Sequence, residues 1–598
     1  MSNLLQQAVT AHQSGNLDEA EKLYRAVLDA QPQQLDALAL LGVVRGAKSD
    51  FGQAVELIEK AIKRDPKSAL FKFHLGNVLM AAQKLPEAIV ALRQAVVLQP
   101  GMAQAHYNLA NALRATGDWD GAIVAYQKAI QHNPIYAEAY NNLALALVHE
   151  KKYDEALEQA KKSVAVAPTY GDGWLTLCNV AEQVKEYPLA LKAGEQNVKL
   201  LPDNHRAWFG YGVALNRLDR NEDAVLAYKR ALELKPDRAD IWDNLGQTYQ
   251  SLNQLEEAEA IFRKTVEVAG QALADEEGRE VDETEYGNRH WHLALMELLR
   301  GKYKEGFARY RSRFEEVGGL IRPNFSRPLW KGESLSGKTI LLSDEQGYGD
   351  TLMLARYLPL IKAQGGKIIF SVHPVLKPLF DGWAGADKVV VHGTTLSSNE
   401  YDCYASVFDL PHIFGTTLET IPTAMPYLPI PAPEEATQLP NDGRMRVGVV
   451  WGGSPLHSND LRRSVPLKTF AKLFDEAGIQ FFSLNRDLKK GDAEILPNYP
   501  VIDLAPRLDN FATGARFINQ LDLVITVDTA TAHLAGGMGK PVWVLLPFAP
   551  DWRWLTGRDD NPWYPSARLF RQEKISDWEN VMGRVKAHLH QLAGKPRS

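Results

Sequence analysis

The stretch AQAHYNLANALRATGDWDGAIVAYQKAIQHNPIY, residues 103–136, decides the fold of the first half of the chain. Its eighth residue is Ala110, its twentieth Ala122, its twenty-fourth Tyr126 and its thirty-second Pro134. The same beat extends in both directions at a step of 34 residues: prolines at 32, 66, 100, 134, 168, 202 and 236, and alanines at 20, 54, 88, 122, 156, 190, 224 and 258. The eighth position is small throughout: Ala8, Gly42, Gly76, Ala110, Ala144, Cys178, Gly212 and Gly246. Small side chains at these two positions let the two helices of one unit approach closely. Aromatic residues Tyr24, Tyr126, Tyr228 and Phe262 recur at position 24 and plug the seam. Proline at position 32 has no N–H and clashes with the preceding turn, so it ends the second helix.

This period predicts tetratricopeptide repeats, framed from 1–34 to 239–272, which stack into an all-α solenoid able to hold another protein in its groove. The acidic string QALADEEGREVDETEY (271–286) breaks the rhythm and is expected to be a loop. Residues 289–315, with Trp291, Leu295, Tyr303 and Phe307, resume the pattern as a degenerate ninth repeat that caps the array. From about Gly337 the period changes. Short apolar runs, TILLS (339–343), KIIFSV (367–372), KVVV (388–391), MRVGVVW (445–451), FFSL (481–484), DLVIT (522–526) and VWVLL (542–546), alternate with helical segments. A proline-rich stretch at 421–440 separates two such groups. The expected architecture is a solenoid over 1–272, an insertion and capping repeat over 273–336, and two Rossmann-like α/β lobes over 337–430 and 431–598. A cleft at the carboxyl ends of their strands would be the ligand site.

Composition excludes several classes. The 598 residues carry a net charge of -6, which argues against a nucleic-acid or anionic-membrane binder. Cys178 and Cys403 are the only cysteines, too few and too distant for a metal site or a disulfide framework. Cys178 falls on a repeat-core position and is read as packing. The first residues, MSNLLQQAVTAHQSGNLDEA, lack a secretory signal, and no run of about 18 apolar residues occurs, so a cytoplasmic protein without a membrane segment is expected.

Three strings in the α/β half can carry chemistry. In DEQGYGDTLMLARYLPL (344–360), Gly347 and Gly349 allow close backbone approach and Asp350 opens a helix. Spacing is met equally by a helix cap and by a carboxylate that takes a proton from an attacking hydroxyl. In DLVITVDTATAHLAGGMGKPVWVLL (522–546), a strand leads through Asp528, Thr529, Ala530 and Thr531 into a helix bearing His533. Small residues at that helix start leave N–H groups for a phosphate, although a capping aspartate and an interior histidine fit the same spacing. In WGGSPLHSNDLRRSVPLKTF (451–470), Gly452 and Gly453 begin a loop that ends at Arg462 and Arg463, cations suited to a phosphate or to solvent. The aromatics of 547–570, Trp552, Trp554, Trp563 and Tyr564, are read as locking a long loop to the core.

Together these strings resemble the heptosyltransferase-type glycosyltransferases, family 9 of the GT-B architecture, over residues 337–598. The resemblance implies a catalytic base at Asp350. It also implies donor contacts from Gly347, Gly349, Gly452, Arg463, Asp528, Thr529, Ala530 and His533. Ala530 stands where the family has glycine, and Arg463, three before Pro466, where it has lysine. An acidic ribose contact is lacking; Asn485 to Asp487 lie nearest. A long repeat array before such a domain is similar to bacterial protein glycosyltransferases, including flagellin-modifying enzymes that use a CMP-linked nonulosonic acid. It is also similar to the O-GlcNAc transferase family, whose asparagine ladder holds the acceptor backbone. The corresponding positions here are Asn108, Asn142 and Asn244, with Asn77, Asn111 and Asn179 one turn on. Thr176 and Gly210 interrupt the series, and asparagines bonding between repeats fit the pattern as well. The resemblance implies a nucleotide-sugar co-substrate, CMP-linked by preference, a protein acceptor such as flagellin, and no metal. The alternatives are a lipopolysaccharide-type transferase and an adaptor with an inactive α/β domain. The oligomeric state is not readable from the sequence.

Overall fold

The computed structural model describes residues 3–275, 283–316, 325–454 and 460–594. The chain forms two compact units, Met1–Pro236 and Asp237–Ser598.

The first unit consists of seven antiparallel helix pairs, from Asn3–Gln13 with Leu17–Ala30 to His205–Arg217 with Asn221–Leu234. Each second helix stops at position 30 of its frame, two residues before the proline. The position-20 alanines of this unit are fully buried. The need for a small residue at position 8 is steric. A Cβ on Gly76 would lie 2.5 Å from Leu92 Cγ, and one on Gly212 would lie 2.6 Å from the Tyr228 ring. Positions 8 and 24 of one repeat therefore face each other. Cys178 is buried at its eighth position, which pushes its thiol up to about 12 and fits the packing reading. The turn within each pair places residue 15 in the left-handed region: Gly15, Ser49, Gln83, Gly117, Lys151, Lys185 and Asp219.

The second unit begins with the eighth helix pair, Ala239–Ser251 and Leu255–Asp275, so its compact boundary falls one repeat before the frame ends. An ionic cluster explains the attachment. Glu259 accepts from Lys302 at 2.7 Å and from Arg300 at 2.6 Å, while buried Glu297 pairs with Arg263 at 2.9 Å and Arg309 at 3.0 Å. These bonds join the eighth pair to the capping pair, Glu283–Leu299 and Tyr303–Arg309. The acidic string expected to be a loop is helical at both ends, to Asp275 and again from Glu283; positions 276–282 lie outside the described residues. Its alanine, glutamate and leucine are good helix formers whatever their charge.

Among the described residues, ten strands follow, in two parallel sheets. The first contains β1 (Thr339–Ser343), β2 (Lys367–Val372), β3 (Lys388–Val391) and β4 (Cys403–Ser406), in the order β3-β2-β1-β4. The second contains β5 (Met445–Val450), β6 (Ile479–Ser483), β7 (Val501–Asp503), β8 (Leu523–Val527), β9 (Val542–Leu546) and β10 (Ala567–Arg571), in the order β10-β9-β8-β5-β6-β7. β8 and β9 are buried along their whole length, as strands covered on both faces must be. Strand order reverses at β1/β4 and at β5/β8, the places where open α/β sheets leave a crevice beyond the strand ends. The proline-rich stretch between the lobes is anchored: Tyr427 and Leu428 both donate backbone N–H groups to the Gly537 carbonyl, at 3.1 and 3.2 Å. Buried Arg356 joins the lobes from the other side, donating to the Trp563 carbonyl at 2.7 Å and the Tyr427 hydroxyl at 3.0 Å.

Candidate functional site

The loops that follow β1, β5 and β8 are the three strings singled out in the sequence. Each leaves a strand at one of the two switch points, and residues of all three line one cavity of about 810 Å³. Gly347, Gly349, Asp350, Gly452, Arg463, Asp528, Thr529, Ala530 and His533 all reach it. The capping helices contribute Trp291, Leu295 and Tyr310 to the wall.

Gly347 is the residue before the helix Tyr348–Leu354, so Asp350 is the third residue of that helix and not its cap. One carboxylate oxygen of Asp350 accepts the Gly347 N–H at 3.1 Å; the other is ion-paired with Arg553 of the opposite lobe. Burial raises the Asp350 pKa, and the Arg553 charge opposes that rise. The preceding loop is fixed by the capping repeat. Buried Arg313 donates to Glu345 at 2.9 Å and to Asp409 at 3.1 Å. Tyr310 donates its hydroxyl to Gln346 at 3.0 Å, and Gln346 itself has φ 63°, a strained conformation held in place by these contacts.

Gly349 permits a close approach between the lobes. A Cβ there would lie 2.6 Å from His533 Cδ2 and 3.5 Å from Ala530 Cα. His533 is buried, stacks on Trp554 at 5.3 Å and shares a hydrogen bond between its Nδ1 and the Tyr564 hydroxyl at 2.8 Å. Burial, reinforced by Arg553 and Arg356, moves its pKa well below the usual histidine value, so it is a neutral hydrogen-bonding group at the cavity. Thr529, not Asp528, occupies the cap position of the helix Ala530–Gly537, and its hydroxyl bonds that of Thr526 at 3.0 Å instead of a helix N–H. Asp528 lies beside the cavity, where burial and the charge of Asp551 raise its pKa.

Arg463 donates from Nη1 to the Asp528 carbonyl at 3.2 Å and packs over Gly453, where a Cβ would come within 2.5 Å of its Nη2. The guanidinium thus needs glycine at 453. The loop carrying Gly452 is held by Asn485, whose Oδ1 accepts the Trp451 N–H at 2.8 Å and whose Nδ2 donates to the Gly452 carbonyl at 3.4 Å. Asn485 therefore supports the loop, and Asp487 is the acidic group nearby that lines the cavity.

Arg553 and Asp551 were not anticipated. They sit in the loop after β9, and Arg553 bonds Asp551 at 2.7 Å, pairs with Asp350 and lies 4.4 Å over the Trp552 ring. Burial alone would favour neutral Arg553, but Asp350 and Asp551 hold it protonated. Its sequence signal was an arginine between two tryptophans beyond a buried strand. Trp554, Trp563 and Tyr564 are buried as expected, while Trp552 also reaches the cavity. Among the described residues, no group of three or more His, Cys, Asp or Glu is arranged to hold a metal.

The asparagines expected to form an acceptor ladder make local hydrogen bonds. Asn108 donates to Asn77 at 2.7 Å, and Asn142 donates to Asn111 at 3.2 Å and to the Tyr107 hydroxyl at 3.0 Å. Asn244 belongs to the second unit and donates to the Asp240 carbonyl of its own helix at 2.9 Å. Their amides thus bond between repeats or within a helix.

The tetratricopeptide repeat family matches residues 5–45, 40–103, 137–167 and 238–276, and a further TPR repeat family matches 110–149 and 212–253. Among curated proteins the chain is similar to Protein FlbA of Caulobacter vibrioides, 30% identical over an alignment of 338 residues that covers 50% of this chain. The chain spans 56% of that relative's length. Among solved structures, YrrB, described as a TPR protein with an unusual peptide-binding site, is 25% identical with a TM-score of 0.28, over 30% of this chain and 92% of its own. MamA from Desulfovibrio magneticus RS-1 is 21% identical with a TM-score of 0.27, over 28% of this chain and 96% of its own. The chain thus joins tetratricopeptide repeats, modules suited to protein–protein interaction, to an α/β unit with a cavity at its switch points.

Proposed function

We propose that this protein is a nucleotide-sugar-dependent protein O-glycosyltransferase. One observation carries the reading: loops from both lobes, three leaving strands at the switch points and a fourth following β9, bring the Asp350 carboxylate, Arg463, Arg553 and a helix N-terminus to one cavity. In the reaction, the hydroxyl oxygen of an acceptor serine or threonine attacks the anomeric carbon of the donor sugar. The bond from that carbon to the phosphate oxygen breaks, and the hydroxyl proton passes to Asp350. Negative charge grows on the leaving phosphate, where Arg463 and the N–H groups of the helix Ala530–Gly537 are placed to stabilise it. Neutral His533 contributes a hydrogen bond and not a charge.

The repeats would bind the acceptor protein. Trp291, Leu295 and Tyr310 add a helical wall to the cavity, a surface for the acceptor chain beside the reacting hydroxyl. By the resemblance in layout, the acceptor is flagellin and the donor a CMP-linked nonulosonic acid. The test is transfer by the full chain to purified flagellin with CMP-, UDP- and GDP-linked sugars, read by intact mass. A sugar-sized increment that disappears with Asp350→Ala supports the reading; unchanged flagellin mass with every donor removes that acceptor. Failure to bind CMP, UDP, GDP or ADP at all removes the transferase itself.

A further inference from the structure

The ion pair between Asp350 and Arg553 conflicts with the role just given to Asp350. Both oxygens of that carboxylate are engaged, one by the Gly347 N–H at 3.1 Å and one by a guanidinium from the other lobe. A base so held has its negative charge neutralised and loses basicity. The guanidinium is itself shared: it bonds Asp551 at 2.7 Å and rests on the Trp552 ring at 4.4 Å. Asp551 and Trp552 belong to the same loop as Arg553 and also line the cavity, whereas Asp350 stands alone across the cleft. Arg553 is therefore also anchored within its own loop, so exchanging its bond to Asp350 would leave the side chain held.

We propose that Arg553 is a phosphate-binding residue of the donor site and that the donor phosphate competes with Asp350 for it. This inference rests on the transferase reading and extends it. Without donor, Arg553 pairs with Asp350. With donor, the guanidinium turns to the phosphate, a match for its planar donor geometry, while Asp551 and Trp552 keep its stem in place. Asp350 is then released as a free carboxylate in a buried setting, able to accept the hydroxyl proton. The arrangement makes base activation conditional on a bound anionic leaving group, which would suppress loss of activity to an idle pair.

The test uses the full-length chain and calorimetric titration with CMP, UDP, GDP and ADP. Competition predicts that Asp350→Asn, which removes the rival anion, tightens binding of the nucleotide that the wild type accepts by about five- to twentyfold. Arg553→Gln should weaken binding and abolish that gain, so the double variant binds no better than Arg553→Gln alone. Should Arg553→Gln fail to fold, Arg553→Lys, which keeps the charge but not the planar fork, takes its place with the same comparison. Unchanged affinity in Asp350→Asn overturns the proposal. So does an equal gain with and without Arg553, because Asp350 would then act by general repulsion. Absence of nucleotide binding in every variant overturns the transferase reading and this inference with it, whereas binding that ignores Asp350 overturns only the inference.

Discussion

The two compact units treat their polar side chains in opposite ways. In the helical unit, asparagines satisfy one another across neighbouring repeats, as Asn108 does with Asn77 and Asn142 with Asn111. In the α/β cavity, Asp350 and Asp528 are held where burial raises their pKa, and His533 where burial lowers its own. This pairing is what a fold needs, since these amide donors meet acceptors within the structure. The cavity arrangement leaves charge under tension near an open space, the condition in which a ligand gains most by arriving. Polarity alone does not mark a site; polarity at odds with its surroundings does.

That contrast can be broken at either end. The largest expected effect is on chemistry. Asp350→Asn should lower sugar transfer by about 10²–10⁴-fold while the melting temperature stays close to wild type, because general-base groups contribute on that scale. A matching collapse of stability would place Asp350 with the helix-forming residues instead. Next in size is Gly76→Leu in the helical unit. With a Cβ already 2.5 Å from Leu92, the added side chain should cost about 1–3 kcal/mol in urea unfolding, with nucleotide binding unmoved.

A third measurement concerns pH. The folded-state pKa of Asp528 is raised, so the folded chain keeps a proton that the unfolded chain has released. Stability from this group is therefore lost as pH rises from the ordinary carboxylate range through the raised value. Asp528→Asn should melt about 2–4 °C above wild type at pH 7, and the gap should close toward pH 4. A gap independent of pH would show that Asp528 is not buried against its charge. The smallest effect is expected for Asn108→Ala, which should cost about 0.5–1 kcal/mol of stability and leave acceptor KM unchanged. A raised KM with no loss of stability would favour the acceptor ladder.

Much of this was readable from residue order, for physical reasons. The 34-residue beat located helix ends because each repeat solves the same steric problem, with small residues facing position 24 and proline beyond the second helix. The strands β1, β2, β3, β5, β6, β8 and β9 announced themselves as apolar runs. By contrast, β4, β7 and β10 are short or mixed in polarity and gave no such signal. Residue 15 of each repeat adopts the left-handed turn whether it is glycine or lysine, so the turn chemistry that usually marks such a site was missing. The loops after β1, β5 and β8 were visible as strings because each is local. Arg553 was not, because its significance arises from Asp350, which stands 203 positions earlier and meets it only when the lobes assemble. Asp350 was legible as helix-associated, but its third-residue placement depends on Gly347 taking the cap.

The two hydrogen bonds that Tyr427 and Leu428 donate to the Gly537 carbonyl fasten the interlobe strap to the far end of the helix whose near end faces the cavity. An occupant at Ala530 would thus press on a helix whose other end, seven positions on at Gly537, holds the strap between the lobes.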